Sequence, residues 1–188
     1  AAWYVNAEGN LSASYTKITN CDASGGSKGI ADGTCVDAGG NSNWEFMPQT
    51  GIILREYWTG ISGTSISDLT SQADFPDNPD GSEDITAFEG PVNTADNYGS
   101  KIYGWIYPPQ DGEYIFWISG DDNSELYLGS DETPDYKIRI AHVPGWSTSR
   151  QWSKYPGQQS SPVNLTAGNK YYIEALHKEG GGGDNIAV

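Results

Sequence analysis

"PPQDGEYIFWISGDDNSELYLG" (Pro108–Gly129) is the stretch whose reading decides the fold. A proline-rich turn leads into a run that stays apolar from Tyr114 to Ile118, and the run breaks at Gly120-Asp121-Asp122. Alternation then resumes, with Leu126 and Leu128 on one face. Period-two runs bounded by turn-formers predict two short strands joined by a tight connection. The two aspartates are the anomaly. Neither favours a strand, and adjacent like charges repel. The plain explanation is a turn in which an aspartate side chain caps backbone amides.

Outward from this stretch the same pattern recurs in "GIILREYW", "SKIYGWIY", "YKIRIA" and "NKYYIEALH". The separators are "GSDETPD", "TAG" and "EGGGGD". Short strands with turn signals and little helical periodicity predict an all-β chain, an antiparallel sandwich or barrel. At most "SISDLTSQA" (Ser65–Ala73) forms a helical turn, with Ser67 as its cap.

A composition shift near Met47-Pro48 divides the chain into a small-residue-rich segment, 1–47, and the strand series, 48–188. The first part cannot build a core of its own. Its Cys21 and Cys35 are expected to pair, closing a loop of roughly 15 residues worth about 3 kcal/mol. A zinc pair is disfavoured, because no further cysteine or nearby histidine completes a ligand set. The chain opens directly on "AAWYVNAEGN", with no signal-peptide pattern, and closes on "DNIAV" inside an apolar run, which reads as a truncation.

Charge bounds the partners. Twenty-five acidic against 10 basic residues give a net −15. Such a surface repels phosphate backbones and anionic lipid and suits divalent cations. No apolar run approaches the ~20 residues of a membrane span, so neither nucleic acid nor membrane insertion is expected.

Catalytic motifs fare poorly. "GGSKG" (Gly25–Gly29) spells a nucleophile elbow but lacks the flanking strand and helix. His142 and His177 sit in no triad context, and His177 reads as lining the exposed face of its strand. In "DFPDNPDGSED" (Asp74–Asp84), Pro76 and Ala87 fall where a calcium-binding helix-loop-helix needs carboxylates, leaving a solvated loop. Asp121 and Asp122 differ, because "EGGGGDN" ends the next long run. It offers Asp184, Asn185 and the carbonyls of a glycine run that turns at low steric cost. Carboxylates mixed with carbonyls fit calcium better than zinc.

Residues of about 48–188 resemble the PA-fourteen domain, named after the N-terminal fragment of anthrax protective antigen. The resemblance rests on "PPQDGEYIFWISGDDNSELYLG", on "SKIYGWIY" before it and on "NLTAGNKYYIEALHKEGGGGDNIAV" after it. It implies a two-sheet β-sandwich. In the lectin members it further implies a cis-linked aspartate pair that binds calcium with a later loop, and an ion that ligates vicinal sugar hydroxyls. Carried over, the calcium ligands come from Asp121, Asp122 and the loop Gly182, Gly183, Asp184 and Asn185. Asp121, Asp122 and Asp184 are then expected at the sugar; Trp146 is added from the loop reading of Gly145 and Ser147, with core packing as its alternative. Trp146 is the loop-tip candidate for stacking on a pyranose, with Trp152 as a second. Residues 1–47 more faintly resemble the last coils of a right-handed β-helix. The expectation is a non-catalytic, calcium-dependent carbohydrate-binding module of a larger extracellular or cell-surface protein, with glycans and other domains of the same chain as partners. A structural or protein-binding spacer, or an accessory domain of a glycoside hydrolase, are the alternatives.

Overall fold

In the computed structural model the chain divides into two compact units, Ala1–Gly51 and Ile52–Val188. The structure describes residues 3–4, 11–13, 17–26, 28–31, 36–46 and 51–188.

Among its described residues the first unit has seven very short strands: β1 (Trp3–Tyr4), β2 (Leu11–Ala13), β3 (Lys17–Ile18), β4 (Cys21–Asp22), β5 (Gly29–Ala31), β6 (Val36–Asp37) and β7 (Trp44–Phe46). Every pairing among these described strands is parallel: β1 with β4, β2 with β5 and β5 with β7, and β3 with β6. Successive short strands therefore stack in parallel on one another. Asparagines make the corners. Asn20 and Asn43 adopt left-handed φ of 47° and 57°, a conformation asparagine tolerates better than most residues. Asn41 accepts the Cys21 amide at 2.9 Å and donates to the Ile18 carbonyl at 3.0 Å, tying these segments together. Cys35 lies outside the described residues, and the expected Cys21–Cys35 pairing with it. Ser27 of the "GGSKG" motif does so too, and the residues after it enter strand β5 rather than a helix.

The second unit holds β8 (Ile53–Trp58), α1 (Ile66–Thr70), β9 (Gly81–Ile85), β10 (Tyr98–Ile106), β11 (Gly112–Tyr114), β12 (Ser119–Asp121), β13 (Asn123–Leu128), β14 (Ile138–Val143), β15 (Val163–Leu165), β16 (Tyr171–Glu179) and β17 (Asn185–Ala187). Six of these form one antiparallel sheet in the order β14-β13-β16-β10-β8-β9. The antiparallel pairs β11–β15 and β12–β17, with bridges at Glu89–Ala187 and Trp117–Gln159, supply the facing layer. Strands such as β13 alternate because one face is buried against the facing layer, whereas β16 in the middle of the sheet is buried throughout. Leu126, Leu128, Ile102, Ile173 and Ala175 point from the large sheet onto Ile118, Leu165 and Ile186. This is the antiparallel β-sandwich that the strand spacing predicts.

Leu126 is fully buried in this cluster. Leu126→Ala should cost about 2–5 kcal/mol, from lost transfer energy plus an unfilled cavity. Urea unfolding with an unchanged m-value would check it.

Two local expectations need correction. The helix α1 is capped by Ser65, not Ser67. Ser65 donates from its amide and its hydroxyl to Asp68 Oδ2, at 2.9 and 2.7 Å, so the cap lies two residues earlier and pairs with an aspartate three positions on. His177 is completely buried rather than exposed. Strand β16 lies between β13 and β10, and all nine of its residues are buried. The acidic loop behaves as a solvated turn. Asp80 accepts the Thr59 amide and hydroxyl at 2.6 and 2.7 Å.

Candidate metal and ligand site

Three chain segments meet at one end of the sandwich, and strand register brings them there. In β12–β17 the partners are Gly120 with Ile186 and Asp121 with Asn185, so the start of "NIAV" lies directly against the aspartate pair. In β13–β16 Asn123 faces Lys178, which sets Glu179 beside Asp122. The Asp121-Asp122 peptide is cis, as the resemblance implies. Gly120 is required just before it, because a Cβ there would stand 2.0 Å from Ser124 Oγ.

The result is a cluster of Asp121, Asp122 and Glu179 whose carboxylate oxygens lie within 4.8 Å of one another. Its supports are specific. The His177 ring makes a 2.6 Å hydrogen bond through Nε2 with the Asp121 carbonyl. A carbonyl only accepts, so Nε2 carries the proton. Burial lowers the His177 pKa to about 4, keeping the ring neutral. The Gly180 amide donates to Asp122 Oδ2 at 3.0 Å. Lys178, fully buried, donates through Nζ to the carbonyls of Gly63 at 2.7 Å and Glu179 at 2.6 Å, clamping the end of β16.

What the three carboxylates lack is an ion pair: no salt bridge among the described residues reaches Asp121, Asp122 or Glu179. Both carboxylate oxygens of Glu179 are buried without a well-formed hydrogen bond, and so is Asn185 Oδ1; the Asp122 backbone gives Glu179 only weak support. Burial first, then the charges of Asp122 and Asp121, push the Glu179 pKa up to about 7. Burial and the neighbouring Asp122 likewise raise the Asp121 carboxyl. Native proteins rarely leave buried polar atoms unpaired. Carboxylates and an amide oxygen with so few donors facing them suit a hard, oxygen-seeking divalent cation, and the lack of imidazole or thiolate ligands sets the cluster apart from zinc sites.

The structure redistributes the roles expected from sequence. Asp121, Asp122 and Asn185 come together, and Glu179, which the sequence reading missed, joins them. Asp184 does not present a free carboxylate. It is fully buried and accepts the Thr94 amide at 2.7 Å, the Thr94 hydroxyl at 2.7 Å and the Tyr98 hydroxyl at 2.6 Å. Burial opposes its ionised form, but the hydrogen bonds from Tyr98 and Thr94 outweigh it and hold the carboxyl below the usual range. Its carbonyl also accepts the Asn93 amide at 3.0 Å. Asp184 therefore moors the loop of residues 91–97 beside the cluster. Gly182 and Gly183 are exposed at the rim. Gly182 has φ +121°, a conformation open to glycine, and donates its amide to Asp96 at 3.1 Å.

The opposite rim is the loop of residues 144–157. Ser147 anchors it to the cluster: its amide donates to the Gly120 carbonyl at 2.6 Å, its hydroxyl accepts the Gly120 amide at 3.0 Å, and its carbonyl accepts Asn185 Nδ2 at 3.0 Å. Trp146, one residue earlier, is 51% exposed, as expected of a loop tip. Its ring carries Lys154 Nζ at 2.8 Å from the centroid. Trp152 instead lines an apolar groove with Ile115, Phe116, Trp117 and Val188. His142 packs its ring on Gly157 and takes no part. No helix among the described residues is long and apolar enough to cross a membrane.

Fold and cluster together define a PA14-type sandwich, and the PA14 domain family model matches residues 51–186. The chain belongs to that family. Over 149 residues it is 32% identical to the mouse N-acetyl-beta-glucosaminyl-glycoprotein 4-beta-N-acetylgalactosaminyltransferase 1, covering 77% of this chain and 14% of that protein. Among solved structures, the PA14 sugar-binding domain of an RTX adhesin superposes with TM-score 0.52 at 13% identity, covering 73% of this chain and 88% of that one. The A domain of Candida glabrata epithelial adhesin 9, in complex with Galb1-3GlcNAc, gives 0.51 at 12% identity, covering 73% and 79%. At these identities the structures establish a shared fold.

Proposed function

We propose that residues 52–188 form a calcium-dependent carbohydrate-binding module of a larger extracellular protein. The observation that carries this reading is the set of buried oxygens of Glu179 and Asn185, without a well-formed hydrogen bond, beside Asp121 and Asp122. Asp121, Asp122, Glu179 and Asn185 would hold the ion, with carbonyls of the 182–183 stretch within the same rim. Bound calcium would offset the carboxylate charge and offer coordination positions to vicinal sugar hydroxyls. The chain's own part is to hold the oxygens in place through His177, Lys178 and the β12–β17 register, and to flank them with the loops of residues 91–97 and 144–157. The sugar complex of the epithelial adhesin domain and the sugar-binding domain of the RTX adhesin support the ligand class, and their adhesin parents support a surface location.

A second reading is an accessory domain of a carbohydrate-active enzyme, favoured by the similarity to a glycosyltransferase of which this chain would be a small part. The two readings share the binding site and differ in the parent protein.

A glycan array probed with and without chelator tests the module. Binding that needs calcium and vanishes in Asp122→Asn is the expected result. Binding that survives chelation would move the sugar elsewhere on the surface, and no binding in either condition would leave a spacer domain.

A further inference from the structure

Lys154 stands apart among the basic side chains of residues 52–188, all of which are described. Six of the others form ion pairs with glutamates. Lys178 donates to two carbonyls. Lys154 alone in this unit has neither an ion pair nor a hydrogen bond, although the whole chain carries 25 acidic residues against 10 basic ones. Its ammonium instead lies on the Trp146 ring, 2.8 Å from the centroid, with the Tyr155 ring at 5.4 Å. Cation–π contact holds an ammonium in place without consuming its hydrogen-bond donors. That seat is fixed next to the site, because Ser147 ties the loop to Gly120 and Asn185. Lys154 is near enough to act on the charge of Asp121, yet no carboxylate among the described residues forms an ion pair with it.

A lysine needed only to neutralise Asp121 would pair with it directly, as the six others pair with their glutamates. One held on an aromatic ring with its donors unspent is poised for a group that arrives with the ligand. The ammonium lies on the ring that the sequence offers for stacking on a pyranose, which makes Trp146 a seat for the ammonium.

Resting on the calcium–sugar reading above, we propose that Lys154 on its Trp146 seat makes the site select an acidic sugar, one bearing a carboxylate together with vicinal hydroxyls, such as a uronate. The net charge of −15 does not oppose this. Remote charges are screened beyond about 8 Å at physiological salt, so a single carboxylate at the rim responds to Lys154 and the bound ion at contact range.

The test is calorimetric titration of the full chain in calcium with matched methyl glycosides: glucuronate and glucose, galacturonate and galactose, mannuronate and mannose. Wild type should favour the acid of at least one pair by about threefold or more, the scale of an exposed charge-assisted contact. Lys154→Met should erase that preference while keeping the neutral sugar and the calcium-induced melting shift, and Lys154→Arg should retain it. A preference that persists in Lys154→Met overturns the proposal. So does wild type that binds neutral and acidic partners equally, which leaves the calcium–sugar reading intact. Wild type that binds no sugar in calcium overturns both.

Discussion

Glu179→Gln is expected to remove most of the calcium-induced rise in melting temperature while making the calcium-free protein more stable, not less. Ligand linkage stabilises the folded state by RT ln(1 + [L]/Kd), about 2.7 kcal/mol when calcium is at a hundred times its Kd. In a domain of this size that is a rise of roughly 5–11 °C. Glu179 contributes two buried carboxylate oxygens without a well-formed hydrogen bond, and a ligand oxygen of Glu179 lies within 4.8 Å of those of Asp121 and Asp122. Without a cation that charge is unfavourable. Its removal should raise the melting temperature in chelator by about 2–4 °C, the effect of roughly 1 kcal/mol in a domain of this length. Differential scanning fluorimetry in calcium and in chelator reads both effects. A Gln variant that keeps the full calcium response would remove Glu179 from the ligand set.

Asp184→Ala should act with the opposite sign. Its carboxylate receives three hydrogen bonds from Thr94 and Tyr98 inside the protein. Truncation leaves the Tyr98 hydroxyl and the Thr94 amide without their acceptor, at a cost of about 3–5 kcal/mol. The melting temperature of the sandwich should fall by about 10 °C in chelator as well as in calcium, and sugar affinity should drop because the 91–97 loop loses its mooring. Were Asp184 a primary metal ligand, its removal would relieve repulsion and the chelator sample would gain stability, as for Glu179→Gln. The direction of the shift in chelator separates the two roles.

The contrast between these residues shows what the sequence could and could not reveal. Asp121 and Asp122 stood out because two adjacent aspartates interrupt a strand pattern, and the glycine run stood out because little else explains it. The sandwich followed from alternation and turn chemistry. Glu179 was hidden because it ends a stretch, "YYIEALHKE", whose polar residues look outward-facing. Strand β16 is sandwiched on both sides by neighbours and covered on both faces, and cross-strand register, which sets Glu179 beside Asp122, has no local signature. His177 was misread for the same reason. Asp184 and Asn185 were indistinguishable as oxygen donors. Strand parity separates them: Asn185 faces Asp121 across β12–β17, while Asp184 turns with Ile186 toward the interior and meets Tyr98. Lys154 could not be singled out before its lack of a carboxylate partner was visible.

Isothermal titration of the wild-type chain with calcium, after exhaustive chelation and dialysis, tests the central claim most directly. A single site of one ion per chain, lost in Asp122→Asn and little populated by magnesium, which holds its waters and demands compact octahedral geometry, is the predicted result. No heat of binding, together with identical melting curves in calcium and in chelator, would contradict it.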